Sequence, residues 1–246
     1  MCGRYASSRD ADAIADEFDV QESLAPAIEP NYNVAPTTPV YAVLERPAKE
    51  DRPQQRQLRL LTWGLVPSWA KNASIGTRLI NARLETAADK PAFRRAFERR
   101  RAIIPADGYF EWYASTFDQK TKKQPYFIAP EDGSILAMAG LYEIWRDPSK
   151  PEDAEDRFRW TMTVITTTAE DSLGHVHDRM PLMLDRTGYD AWLDPTITNV
   201  QEVAGLLQPA APGRLLAVPV STLVSNVRNN GPELIEPIAL TGLDEQ

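Results

Sequence analysis

Apolar residues at Ala11, Ile14, Ala15 and Phe18 recur at three- and four-residue intervals, the spacing of one helix face. The positions around them are acidic. Residues 10–29 hold Asp10, Asp12, Asp16, Glu17, Asp19, Glu22 and Glu29, and neither Lys nor Arg, so the segment predicts an acidic amphipathic helix. A turn-rich string, PNYNVAPTTP, follows at 30–39. Beyond it the period shortens. Short aliphatic, β-branched and aromatic runs predict strands at 40–44, 57–63, 102–105, 108–113, 125–129, 135–144, 158–167 and 215–220. Helical spacing returns only briefly, at 91–99, where Pro91 suits a first turn, and at 169–173, 187–193 and 200–207. Polar stretches at 46–56, 115–124 and 147–157 read as exposed loops. Many short strands with few helices, not alternating one for one, predict an α+β fold rather than a parallel α/β sheet. No linker-like segment interrupts the series, so 1–246 reads as one domain.

Charge changes the picture. The chain carries 27 Lys and Arg against 35 Asp and Glu, a net charge of −8. Taken whole, that opposes nucleic-acid binding, because neutralising phosphate needs cations. The distribution answers the objection. Seven acids lie in 10–29 alone, whereas nine basic residues face three acids between 63 and 101. A polarised surface is expected, with the acidic helix away from a basic strip. No run of about 18 apolar residues exists, which predicts no membrane span. The N-terminus lacks an apolar signal core, which predicts a cytosolic protein. One cysteine excludes an internal disulfide. With His175 and His177 the only histidines, no metal-ligand spacing appears. There is no GxGxxG or Walker string, so neither a metal nor a nucleotide cofactor is expected.

Cys2 is the most informative residue. A small residue after Met1 favours removal of the initiator, which leaves a 1,2-aminothiol at the chain start. Its amine and thiol have reference pKa values of roughly 8 and 8.5, so both are partly nucleophilic near neutral pH. Such a group condenses with an aldehyde through a Schiff base and closes to a thiazolidine. An internal cysteine cannot, because its nitrogen is an amide. The same start also suits an N-terminal-nucleophile amidohydrolase, and an incidental cysteine in a non-covalent DNA binder stays open as well.

Further strings bear on the choice: MCGRY at the start, NYNVAPT (31–37), WGLVPSW (63–69), NARLET (81–86), DGYFEW (107–112) and HDRMP (177–181). In this order, anchored on Cys2, they resemble the SRAP (SOS response-associated peptidase) family over about 2–237. The resemblance implies a single α+β domain with a mixed, mostly antiparallel, barrel-like sheet and short peripheral helices. It implies a monomer that senses abasic sites in single-stranded DNA, captures the ring-opened sugar on Cys2 as a thiazolidine, removes its own Met1 and reverses the adduct. Asn81, Glu111 and His177 are the catalytic residues it implies beside Cys2; His177 fits the H-x-R-x-P string and His175 does not. Residue chemistry agrees. Histidine can shuttle a proton while the sugar ring opens, a partly desolvated carboxyl can move protons during dehydration, and an asparagine orients without titrating.

For DNA, Arg4, Arg78, Arg83, Arg94 and Arg179 are the candidate phosphate contacts. The resemblance implies that Asn33 and Pro36, in the NYNVAPT string, lie beside the lesion, and with it Trp69, on a Pro/Ser/Lys-rich loop, is expected to face solvent and stack on a base. Asn226, Arg228 and Asn229, in SNVRNNG (225–231), are expected to line the same cleft. Contacts to backbone and to a missing base make recognition independent of sequence.

Overall fold

The computed structural model describes residues 2–48, 50, 53–117, 120–169, 173, 176–207 and 213–239, excepting the side chains of 115–117 and 120–122. The chain opens with strand β1 (Tyr5–Ser7), helix α1 (Ala11–Glu17) and strands β2 (Glu22–Ser23), β3 (Asn31–Val34), β4 (Pro39–Arg46) and β5 (Gln55–Trp63). Strand β6 (Asn81–Arg83) and helices α2 (Leu84–Ala87) and α3 (Arg94–Arg99) come next. They lead into the long strands β7 (Arg101–Ala106), β8 (Gly108–Phe117), β9 (Lys120–Pro130), β10 (Leu136–Arg146) and β11 (Phe158–Thr168). Strand β12 (Arg179–Pro181), helices α4 (Tyr189–Leu193) and α5 (Val200–Gly205), and strand β13 (Leu215–Pro219) complete the set.

Five strands, in the order β5, β4, β7, β10, β11, close on themselves. Four of the contacts are antiparallel and β11 meets β5 parallel, with Thr161 beside Thr62 and Met162 beside Trp63. Parity requires this: four reversals around a five-membered ring return the chain to its first direction, so the closing pair must be parallel. Beyond the barrel, β6 and β12 flank the far half of β11. A second sheet, in the order β13, β9, β8, β1, β3, is antiparallel throughout. The fold is therefore α+β, a mixed and mostly antiparallel barrel with short peripheral helices.

Strand alternation divides the core. Val40, Ala42 and Leu44 of β4, Leu61 and Trp63 of β5, Ala102 and Ile104 of β7, Met138 and Tyr142 of β10, and Met162 and Val164 of β11 form one cluster with Cys2, Tyr5, Tyr109 and Ile128. Every barrel strand and no described helix contributes to it, so it fills the barrel and the junction with the second sheet. The alternate residues, among them Tyr41, Val43, Ile103, Leu141 and Ile165, pack under Ile14, Phe18, Phe97, Trp192 and Val203 of the helical layer. A seven-residue helix such as α1 is unstable alone. Burying Ile14 and Phe18, at roughly 1.5–3 kcal/mol each, and the Asp10 N-cap, whose carboxylate accepts from Ala13 N at 2.8 Å, hold it in place.

Several elements depart from the sequence pattern. Four of the ten residues in the turn-rich 30–39 string form β3, because Asn31–Val34 pairs with β1. The polar 115–124 stretch is not a loop throughout, since β8 and β9 pair as far as Phe117 and Lys120; cross-strand pairing overrides composition. The acidic helix spans only Ala11–Glu17, and α3 begins at Arg94 rather than at Pro91. Residues 170–172 of the expected 169–173 helix lie outside the described residues, as does His175.

Candidate functional site

Tyr5 fixes where the chain start lies. It packs against Trp63 in a tilted ring pair with centroids 5.1 Å apart and pairs with Tyr109 of β8, while Phe110 N donates to Arg4 O at 2.9 Å. These contacts carry Cys2 into the barrel cluster, where it is fully buried, its Sγ 3.9 Å from Arg4 O. Burial pushes the Cys2 thiol far above the ordinary cysteine value, and the neighbouring negative charge of Glu111 pushes the same way.

Asn81 opens β6, which pairs through Asn81 with Val164. Its Nδ2 donates to Cys2 O at 2.7 Å. Its Oδ1 is buried and has no hydrogen-bond partner among the described residues. On β8, Phe110 and Trp112 turn to a separate apolar cluster with Phe127, Val224 and Leu234. Alternation therefore puts Glu111 on the opposite face with Tyr109, toward Cys2. Glu111 is buried, which raises its pKa; nearby positive charge, that of a protonated His177 included, opposes the rise. His177 Nδ1 accepts from Arg179 N at 2.9 Å when the ring is neutral, and Asp178 Oδ1, also at 2.9 Å, is the partner of a protonated Nδ1. Four residues distant in sequence thus converge: Cys2, Asn81, Glu111 and His177.

The string WGLVPSW is held beside them by a close backbone crossing. Gly64 has φ +117°, and a Cβ there would lie 2.7 Å from Gly76 O; only glycine fits such a position. Gly64 N donates to Met162 O, and Trp63 Nε1 donates to Ile80 O next to Asn81, both at 2.8 Å. Trp63 is core, whereas Trp69 stands 60% exposed on the loop. The loop after β3 is joined to the same point: Thr37 N donates to Trp63 O at 2.8 Å and Trp63 N to Thr38 O at 3.0 Å. Pro36 is half-buried in that loop.

Arg4 and Asn33 form a bracket. Arg4 Nη1 donates to Asn33 Oδ1 at 2.6 Å and to Val224 O at 2.9 Å, and its guanidinium lies over the Trp112 ring. Asn33 is 3% exposed, and its Nδ2 faces the carbonyls of Val224, Asn226 and Asn229 at 3.2, 3.0 and 2.9 Å. The structure thus gives Asn33 a supporting place beneath the turn that exposes Asn226 and Arg228, not a place at the surface. Arg179 forks onto Glu85 at 2.6 and 3.0 Å and donates to Thr166 O at 2.7 Å. Arg83 is exposed on the same side of β6 as Asn81, and Arg78 is exposed three residues before Asn81. Arg94 is not brought to this site. It lies on α3, whose Ala96 and Phe97 pack in the helical layer, and it pairs with Glu98 at 3.4 Å.

The basic stretch of 63–101 is therefore not one strip. Arg78 and Arg83 flank Asn81, the arginines of α3 belong to the helical layer with α1, and Arg100 leads into the opposite end of the barrel. The acidic α1 packs against the outer barrel face and does not line the Cys2 cluster. Two site residues escape sequence reasoning. Glu85 sits unremarked in NARLET. Trp112, beside Glu111, stacks on Arg4 and donates from Nε1 to Ser225 Oγ at 3.1 Å. Among the described residues no His, Cys, Asp and Glu group could hold a metal, and no helix is long and apolar enough to cross a membrane.

Residues 1–227 match the family model described as SOS response associated peptidase (SRAP). The chain is 38% identical over 237 residues to Abasic site processing protein YoqW of Bacillus subtilis, covering 96% of this chain and 99% of that protein. It is 34% identical over 244 residues to Abasic site processing protein YedK of Escherichia coli, covering 97% and 100%. A crystal structure of a Bacteroides thetaiotaomicron protein superposes with a TM-score of 0.80 at 25% identity, covering 97% of this chain and 100% of that one. With the family match running from Met1 to Val227 and these relatives aligned almost end to end, the chain belongs to the SRAP family.

Proposed function

We propose that this protein processes abasic sites in single-stranded DNA by capturing the ring-opened sugar on Cys2. The names of its relatives support the substrate. The observation that carries the reading is the asymmetry of Asn81: Nδ2 holds the Cys2 carbonyl while a buried Oδ1 has no partner among the described residues. An acceptor so placed suits the amine of a processed Cys2 or a hydroxyl of the sugar.

The chemistry starts with hydrolysis of the Met1–Cys2 bond, which frees the α-amine. The amine adds to the sugar aldehyde to give a carbinolamine. Glu111, raised by burial and therefore able to exist as the acid, protonates the departing hydroxyl, which leaves as water and forms the Schiff base. The Cys2 sulfur then attacks the imine carbon, its proton passes to the nitrogen, and the thiazolidine closes. One water is released overall, and adding it back reverses the adduct. His177 exchanges the proton that opens the sugar ring. Arg78, Arg83 and Arg179 act on the flanking phosphates, and Trp69 on a neighbouring base.

The test mixes Met1-processed protein with a single-stranded oligonucleotide bearing one abasic site and resolves the product on a denaturing gel. A heat-stable shifted band is expected, absent in Cys2→Ala, and abolished in Glu111→Gln while non-covalent DNA binding persists. No shift from the unsubstituted protein, or an unchanged band in Cys2→Ala, overturns the reading.

A further inference from the structure

The barrel end farther from Cys2 has a composition that the Cys2 site does not use. On β4 the inner row runs Val40, Ala42, Leu44 and then Arg46; on β5 it runs Trp63, Leu61 and then Arg59. Entering β7, Arg100 precedes Ala102 and Ile104. Three neighbouring strands thus end an apolar inner row with arginine toward the same end. The register brings them together, since Leu44 pairs with Ala102 one step inside Arg46 and Arg100, and Tyr142 N donates to Arg100 O at 2.8 Å.

Two of the arginines, Arg46 and Arg59, meet over an aromatic pair. Trp160 of β11 stacks with Tyr142 of β10, centroids 5.7 Å apart and planes 14° apart. The guanidinium carbons of Arg59 and Arg46 lie 4.4 and 5.5 Å from the Trp160 ring centroid. Arg100 pairs with Glu143. Arg46 has no carboxylate partner among the described residues. Arg101 turns away and is engaged by the carbonyls of Phe97, Glu98, Trp192 and Asp194. Burial disfavours the charged form of Arg100, and the charges of Arg95 and Arg46 add to the effect. Glu143 answers the charge of Arg100 but no described carboxylate answers that of Arg46, and a partly desolvated cation beside other cations favours an anion among them. A guanidinium fork fits the oxygens of a phosphate group. Since Trp160 is already stacked against Tyr142 and arginine, the site presents cations rather than a free ring to a ligand.

We propose that Arg46, Arg59 and Arg100 form a second anion site, at the barrel end opposite Cys2, that binds a phosphate group. The group comes either from a free phosphate compound or from a nucleic-acid backbone. Melts of the full chain with inorganic pyrophosphate, against sodium chloride at matched ionic strength, are expected to show a saturable rise in Tm. The rise is about 3–6 °C at tenfold excess over Kd. Arg46→Gln and Arg59→Gln abolish it, whereas Arg186→Gln, in the helical layer, keeps it; the melt of each variant without ligand reports that it is folded. If Arg46→Gln does not fold, Arg46→Lys, which keeps the charge and loses the fork, takes its place. Fluorescence anisotropy with an undamaged single-stranded oligonucleotide separates the sources. A threefold or larger loss of affinity in Arg46→Gln assigns the phosphate to a DNA backbone, and unchanged affinity beside a pyrophosphate response assigns it to a free phosphate. Absence of both the pyrophosphate-specific rise and the loss of oligonucleotide affinity overturns the site.

Discussion

Replacing Asn33 by alanine tests whether this residue touches DNA or supports what does. In the structure its side chain is buried and engaged at both ends. Oδ1 accepts a charge-assisted bond from Arg4 at 2.6 Å, a type of contact worth about 1.5–3 kcal/mol. Nδ2 has two hydrogens for three carbonyls at 2.9–3.2 Å, so it counts as two neutral bonds of about 1 kcal/mol each. The gross loss is about 3.5–5 kcal/mol. Some of it is recovered, because the turn carrying Asn226 and Arg228 is exposed and water can reach freed carbonyls. The expected net cost is about 3 kcal/mol, or a fall in Tm of about 6–12 °C for a chain of this size. Urea unfolding followed by tryptophan fluorescence measures it, with Asn226→Ala as a surface comparison expected to cost under about 0.5 kcal/mol. An Asn33→Ala variant that loses less than about 1 kcal/mol yet binds DNA several-fold more weakly would refute the bracket and return Asn33 to the DNA surface.

Three further outcomes follow from the same geometry. Gly64→Ala should lower stability by about 2–4 kcal/mol in thermal or urea unfolding, since it adds a Cβ 2.7 Å from Gly76 O at φ +117°; a neutral result would contradict the tight crossing. Glu111 has a folded pKa above its unfolded one, so the folded state binds the extra proton and stability falls as pH rises from the unfolded value through the folded one. Glu111→Gln should therefore melt higher than the unsubstituted protein at pH 7, with the gap closing as pH drops to about 4, and a gap that widens on acidification has the wrong sign. Glu85→Gln removes the carboxylate that holds Arg179, so if Arg179 meets phosphate, oligonucleotide affinity should rise about two- to fivefold at low salt; equal affinity in anisotropy titrations removes Arg179 from the DNA contacts.

Much of this protein is legible in its sequence. Strands 40–44, 158–167 and 215–220 announce themselves because half-buried strands need alternating or continuous apolar runs, and β4, β11 and β13 follow. The short strings around Cys2, Asn81, Glu111 and His177 are legible because each is an unusual local run of polar and aromatic side chains, and the fold brings these four residues together. Tertiary contacts decided the rest. Asn31–Val34 is a strand only because β1 lies beside it, and the polar hairpin arms of β8 and β9 persist because each pairs with the other. Composition along the chain suggested one basic strip, yet the barrel divides those residues among the Cys2 site, the helical layer and the far barrel end. The division is geometric: strand alternation and barrel closure send residues one or two positions apart to opposite faces or ends. The same reason governs Asn33 and Arg179. Their residue types allow a phosphate contact, but only the folded chain places Arg4 and the 224–229 carbonyls around one and Glu85 across from the other.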